Sequence, residues 1–132
     1  MLGELISETR GKRIARRVLS SEPLKVEVSF EDSGQFLGVD VTGFGTYCSE
    51  VRSDGTLYGE GHGANVSGEG DVVTWKGSGQ GMLKEGGAVS YRGILYFRTA
   101  SRKLARANTV AGVFEYEVDG KGNTHSKIWE WK

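Results

Sequence analysis

The chain has 132 residues, 37% of them hydrophobic and 26% charged, which excludes an intrinsically disordered chain and fits one domain over residues 1–132. Its 17 Lys and Arg residues balance 17 Asp and Glu residues, so no overall field attracts nucleic acid or an anionic membrane. The single cysteine, Cys48, allows no intramolecular disulfide. The first residues show no secretory signal, and no apolar stretch approaches the roughly 18 residues of a membrane-spanning helix. These features predict a cytoplasmic protein without nucleic-acid or membrane partners.

The N-terminal segment is the first predicted element. Residues 4–10 and 13–19 are predicted to form a hairpin that turns at Gly11-Lys12. A short helix over residues 12–19 is the alternative, because apolar residues there also fit helical spacing.

The clearest strand follows at residues 24–31, where Leu24, Val26, Val28 and Phe30 alternate with polar residues. This period of two is typical of a half-buried strand. A turn is predicted at Asp32-Ser33-Gly34, before a strand that begins at Leu37.

The rest of the chain repeats the pattern of short strands and glycine-rich turns. Turns are predicted at residues 52–56, 67–71 and 119–123, since Asp-Gly and Gly-rich sequences tolerate positive φ. A polar, basic connection is predicted at residues 101–108. The predicted strands cover residues 47–51, 57–66, 72–81, 89–99, 110–118 and 124–132.

Eight to ten strands joined by hairpins predict an all-β fold, a single antiparallel up-and-down barrel, because closure removes exposed sheet edges. Such a barrel is filled by side chains or holds one small ligand. The strand at residues 89–99 and the segment Ile128–Trp131 carry apolar residues on both faces. A strand of that kind is covered on both faces, which favours a homo-oligomer; packing within one chain is the alternative.

Two glycine repeats, residues 59–63 and 77–81, have the glycine content of phosphate loops but no following helix to hold an anion. We interpret them sterically: glycine lets strands coil or lets a large ring pack on bare backbone. Trp75 and Tyr58 are the candidate rings.

Tyr58, Glu60 and His62 lie at i, i+2 and i+4, so a strand projects them from one face. A carboxylate beside an imidazole supports general acid/base catalysis, which makes Glu60 and His62 the catalytic candidates. The alternative is a solvated polar face, and no metal site is predicted because no third ligand has suitable spacing.

Arg92 lies in an apolar strand, which predicts that its side chain is buried against Glu115, Glu60 or a bound carboxylate.

These features favour a barrel that binds a small apolar or aromatic molecule in one mouth, without a cofactor. A cofactor-free isomerase, cyclase or lyase using Glu60 or His62 is one alternative. A filled barrel acting as an oligomeric scaffold or interaction protein is another. The candidate ligand-binding residues are Tyr58, Trp75, Tyr91, Arg92 and Tyr96.

Four segments, residues 53–61, 91–93, 112–118 and 128–131, resemble an uncharacterised group of small prokaryotic proteins. In length and glycine-rich strands the chain is similar to the allene oxide cyclase-like barrels, which have a lipocalin-like shape. That resemblance implies a barrel that binds or converts hydrophobic small molecules, and it assigns no functional residue.

Overall fold

The computed structural model, which describes residues 1–132, is a closed barrel of eight antiparallel strands in chain order. The predicted all-β up-and-down barrel is therefore confirmed. Strand β1 closes the ring by pairing with β2 on one side and with β8 on the other. No helix in the structure has the length and apolar character needed to cross a membrane. The strands are β1 (Leu2–Ser21), β2 (Leu24–Phe36), β3 (Val39–Val51), β4 (Leu57–Ser67), β5 (Val72–Leu83), β6 (Val89–Thr99), β7 (Ala111–Val118) and β8 (Asn123–Trp131).

The inward side chains form two apolar clusters at opposite ends of the barrel. One end is packed solid by residues that include Phe36, Val73 and Phe97, all nearly inaccessible to solvent. The other end is built around Leu57, Tyr91, Tyr116 and Val118. The space between the clusters is the part of the interior that side chains leave unfilled.

The connection between β6 and β7 closes the solid end of the barrel. It was predicted as a polar, basic loop, but it contains a short 3-10 helix, Ala105–Thr109. Leu104 and Ala107 are buried against the core. The sequence does not predict this burial, because Leu104 and Ala107 are single apolar residues in a polar segment and form no helical or strand periodicity.

The N-terminal prediction is wrong in both of its forms, because β1 is one continuous strand from Leu2 to Ser21 with neither a hairpin nor a helix. Gly11, the expected turn, is instead a point of close contact with β2. A Cβ there would lie 1.9 Å from the backbone oxygen of Glu31. Glycine at this position lets a long strand coil around the barrel while residues 7–12 pair with both β2 and β8.

The predicted turn at Asp32-Ser33-Gly34 is also wrong, because β2 continues through it to Phe36. The hairpin turns at Leu37 and Gly38, both with positive φ, as a two-residue turn requires. A Cβ on Gly34 would lie 2.0 Å from the backbone oxygen of Glu8, so this glycine allows β2 to approach β1 closely. The other predicted turns are confirmed, with positive φ at Gly55, Gly70 and Gly122.

Candidate functional site in the barrel interior

A cavity lies inside the barrel between the two apolar clusters. The space within it that is open to water-sized spheres is about 90 Å³, the same order of magnitude as the roughly 150 Å³ apolar cavity known to bind benzene. No Lys, Arg or His lines it. The lining residues on the inner face include Ser7, Thr9, Phe30, Asp32, Tyr47, Asn65, Trp75, Tyr91, Leu95, Phe114, Tyr116, Ser126 and Ile128.

Phe30 is the centre of an aromatic cluster on one side of this cavity. Its ring stacks on Trp75 with a centroid distance of 6.1 Å. The rings of Tyr116 and Tyr47 lie 5.6 Å and 6.1 Å from it in tilted arrangements. Centroid distances in this range are favourable for aromatic pairs, so rings from the four strands β2, β3, β5 and β7 pack together in the interior.

The glycine repeats make room for these rings, as the steric interpretation predicted for Trp75. A Cβ on Gly45 or Gly63 would lie 2.6 Å from atom Cζ2 of Trp75. A Cβ on Gly81 would lie 2.8 Å from the ring of Tyr91. The bare inner faces of β3, β4 and β5 are therefore occupied by the rings that they face.

Asp32 places a carboxyl group in this aromatic interior. The hydroxyl of Thr9 donates a hydrogen bond to its Oδ2 over 3.1 Å, whereas Oδ1 is buried without any partner. Burial raises the pKa of Asp32 above its usual 3.8, and the Thr9 hydrogen bond opposes that rise. Gly43 faces the same spot: a Cβ there would lie 2.2 Å from Oδ1 of Asp32 and 2.6 Å from Oδ1 of Asn65.

Three tyrosine hydroxyls lie toward the other end of the cavity. The hydroxyl of Tyr91 forms a short hydrogen bond with Ser49. The hydroxyl of Tyr116 is buried and lacks a partner in hydrogen-bonding geometry, although Tyr47 lies close to it. Burial raises the pKa of Tyr47 to about 12 and that of Tyr116 further. These groups are neutral hydrogen-bonding hydroxyls at physiological pH.

Of the five residues predicted to bind a ligand, the structure brings Trp75 and Tyr91 together in the cavity lining. Tyr58 and Tyr96 lie on the outer face, where Tyr96 is 56% exposed and Tyr58 packs under the guanidinium of Arg52. One strand alternates its side chains between the two faces, so residues of odd number on β4, β5 and β6 point inward and their even-numbered neighbours point outward.

Arg92 was predicted to be buried, and this is wrong: its side chain is 55% exposed on the outer face. It forms ion pairs with Glu115 at 3.7 Å and Glu117 at 3.1 Å on β7. Glu115 was one of its predicted partners. Because Arg92 occupies an outward-facing position of β6, its guanidinium pairs with exposed glutamates and needs no buried anion.

Glu60 and His62 also project outward, both exposed. The hydroxyl of Tyr58 donates a hydrogen bond to Oε1 of Glu60 over 2.8 Å. Gly59, Glu60 and Gly61 border the cavity, whereas the side chains of Glu60 and His62 are exposed on the outer face. The three residues share one face as predicted, and that face is the outer surface of the barrel.

Sequence reasoning missed most of the residues that line the cavity, above all Asp32, Asn65, Tyr47 and Tyr116. One signal was present for Asp32: the inward alternation of Val28 and Phe30 continues through it to Phe36. Interpreting Asp32 as the start of a turn hid that register. Nothing in the sequence predicted that Asn65 would face it, since the two meet only across β3.

No protein-family model matches the sequence, and no curated protein matches it significantly. Solved structures share the fold at low identity. A protein of unknown function from Clostridium acetobutylicum is 13% identical with a TM-score of 0.84, and the match covers 98% of each chain. A beta-barrel like protein from Acinetobacter baumannii is 14% identical with a TM-score of 0.78, covering 100% of this chain and 96% of its own. An enzyme from Penicillium herquei is 16% identical with a TM-score of 0.67, over 96% and 92%. The chain thus shares its eight-stranded barrel with small uncharacterised proteins.

Proposed function

We propose that this protein binds a small apolar or aromatic molecule in the interior of its barrel. The observation that carries the proposal is the cavity between the two apolar clusters, which is lined by aromatic rings and walled by glycine. Ligand sites are typically concave and apolar, with a few polar groups that fix orientation. Asp32, Asn65 and the tyrosine hydroxyls are the polar groups here.

The size of the cavity limits the ligand. A space of about 90 Å³ is smaller than the roughly 150 Å³ cavity that takes up benzene, so the largest ligand that it admits has one ring and requires small adjustments of the lining side chains. Long acyl chains and nucleotides are too large for it without movement of the wall. This ligand class is narrower than the hydrophobic small molecules implied by the allene oxide cyclase-like or lipocalin-like resemblance, which we retain as part of the proposal.

The cofactor-free isomerase, cyclase or lyase is the second candidate. One structural neighbour is described as an enzyme, but likeness of fold does not transfer an activity. Glu60 and His62 are exposed on the outer face, so no geometric observation favours them as the acid and base of the cavity.

The third candidate, a filled barrel acting as a scaffold, is disfavoured by the unfilled space beside Phe30. We also retain the expectation of a cytoplasmic protein.

Toluene binding followed by NMR tests the proposal. We expect saturable shifts at the indole of Trp75 in the wild-type protein. Ser126→Leu places an apolar side chain in the cavity and is expected to weaken binding at least about tenfold, which corresponds to about 1.4 kcal/mol. Thr74→Leu, the same kind of change on the exposed outer face of β5, is expected to leave binding unchanged.

Two results would overturn the proposal: no saturable binding of toluene, or binding that Ser126→Leu leaves intact. Ser126→Val provides a smaller filling variant if the leucine disturbs the fold. Dispersed amide spectra of each variant establish that loss of binding reflects the cavity.

A further inference from the structure

We propose that the cavity selects a small organic cation, an amine in its ammonium form on an aromatic or apolar body, with Asp32 as its charge partner. The inference rests on the proposed function and names the ligand class of the same site. Three features of the interior support it: unsatisfied acceptor atoms, an aromatic cluster beside them, and the lack of any cationic side chain in the lining.

The acceptor atoms are the first feature. Oδ1 of Asp32 is buried without a partner, and Oδ1 of Asn65 lies on the same side of Gly43. A buried acceptor such as Oδ1 of Asp32 is unfavourable without a donor. An ammonium group carries three donors and no acceptor, so it would donate to the unpaired Oδ1 of Asp32 and to Oδ1 of Asn65 together.

The aromatic cluster is the second feature. Phe30 lies two residues before Asp32 on the same inner face of β2, with Trp75 and Tyr116 within about 6 Å of its ring. The faces of aromatic rings attract cations, and quaternary and methylated ammonium groups are bound in such aromatic cages. A carboxylate and several ring faces thus border one space.

The absence of a competing cation is the third feature. Asp32 takes part in no ion pair, and Thr9 supplies a hydrogen bond to Oδ2 only. Arg13 lies toward the tyrosine hydroxyls, where its charge lowers the pKa of Tyr47 and Tyr116 against the larger effect of burial. The positive group of a ligand is therefore placed at the Asp32 side of the cavity.

Three matched probes test the inference: benzylamine, benzyl alcohol and ethylbenzene, which have the same number of non-hydrogen atoms. At pH 7 benzylamine is a cation, benzyl alcohol a neutral donor, and ethylbenzene has no donor. We expect wild-type protein to bind benzylamine at least about tenfold more tightly than ethylbenzene, a difference in binding free energy of about 1.4 kcal/mol. The affinity for benzyl alcohol is expected to lie between the two. Isothermal titration calorimetry or NMR gives the dissociation constants.

Two carboxamide variants locate the effect. Asp32→Asn keeps the shape of the side chain and is expected to abolish the preference for benzylamine while ethylbenzene still binds. Glu115→Gln removes a carboxylate from the outer wall, at a residue that does not line the cavity, and is expected to preserve the preference.

The outcomes separate the two proposals. If ethylbenzene binds as tightly as benzylamine, or benzyl alcohol binds as tightly as benzylamine, the selection of a cation is wrong and the apolar site stands. If Asp32→Asn keeps the preference, Asp32 is not the charge partner and the inference fails. If none of the three probes binds wild-type protein, the proposed function itself fails.

Discussion

Gly63 leaves its inner face bare because the ring of Trp75 occupies that position. A Cβ at Gly63 would lie 2.6 Å from the ring and 2.5 Å from the backbone oxygen of Phe44. The alternation of glycine along β4 was visible in the sequence, and so was its steric meaning. Which rings fill the space was only partly predictable: Trp75 was predicted, whereas Tyr58 points outward, because register decides the face.

We expect Gly63→Ala to destabilise the protein by about 1–3 kcal/mol, since the added methyl overpacks the contact with Trp75. Gly68→Ala is the control, because a Cβ there meets nothing within 4 Å and exposed changes usually stay within about 0.5 kcal/mol. Urea unfolding measures both. Equal stability of the two variants would show that the Trp75 contact relaxes freely.

Asp32 shows the energetic cost of a polar group in the interior. Its pKa is raised by burial, so the folded state resists ionisation more than the unfolded state does. The protonated form therefore adds stability below pH 3.8, and this contribution is lost as pH rises from 3.8 through the raised pKa.

We expect Asp32→Asn to be more stable than wild type at pH 7, by about 1–3 kcal/mol, the usual cost of a buried group without a partner. The difference should shrink as pH falls through the raised pKa of Asp32 towards 3.8, because both side chains are neutral at lower pH. Urea unfolding at several pH values measures it. A stability difference that does not vary with pH would mean that Asp32 ionises freely in the folded state.

Elements join the barrel in ways that local patterns do not show. The sequence predicts two strands here, but the 20 residues of β1 form one strand, in which residues 2–12 pair with β8 and residues 7–21 pair with β2. The connection after β6 caps the solid end, and Arg106 within it bonds both Glu4 on β1 and Glu130 on β8. The cap therefore contacts the two strands that close the ring.

Leu104 is the main apolar anchor of this cap, only 2% exposed. We expect Leu104→Ala to cost about 2–5 kcal/mol through lost burial and the cavity left behind. Lys103→Ala, which removes only an exposed ion pair with Glu69 at 3.8 Å, should cost under about 1 kcal/mol. Thermal unfolding compares them, and a mild effect at Leu104 would show that the barrel end does not depend on its cap.

The whole molecule exposes an apolar band on its outer wall. Cross-strand pairing aligns Ile94 with Val113, Val113 with Trp129, and Trp129 with Leu5. Leu5 and Ile94 are 45% and 38% exposed. Apolar patches that cross several strands are typical of interaction sites. The chain has no net charge, so two copies meet without overall repulsion, and we propose that this band is the contact of a homo-oligomer.

Ile94→Glu places a charge in the centre of that band and is expected to convert the oligomer to a monomer. Leu19→Glu, at a 46% exposed position on the far part of β1, is the control and should leave the assembly unchanged. Light scattering after size-exclusion chromatography gives both masses. A monomeric wild-type protein would contradict the proposal directly.

The alternation of apolar and polar residues by itself determined the strands, most of the turns and the closed barrel, because a two-residue period is a local property and sheet edges demand closure. Tertiary structure alone decided the site. Asp32, Asn65 and the Tyr116 ring are distant in sequence and meet only through the register of strands around the ring. A shift of one residue in that register exchanges inside for outside, and this is why Tyr58, Arg92 and Tyr96 lie on the outer wall while Trp75 and Tyr91 line the cavity.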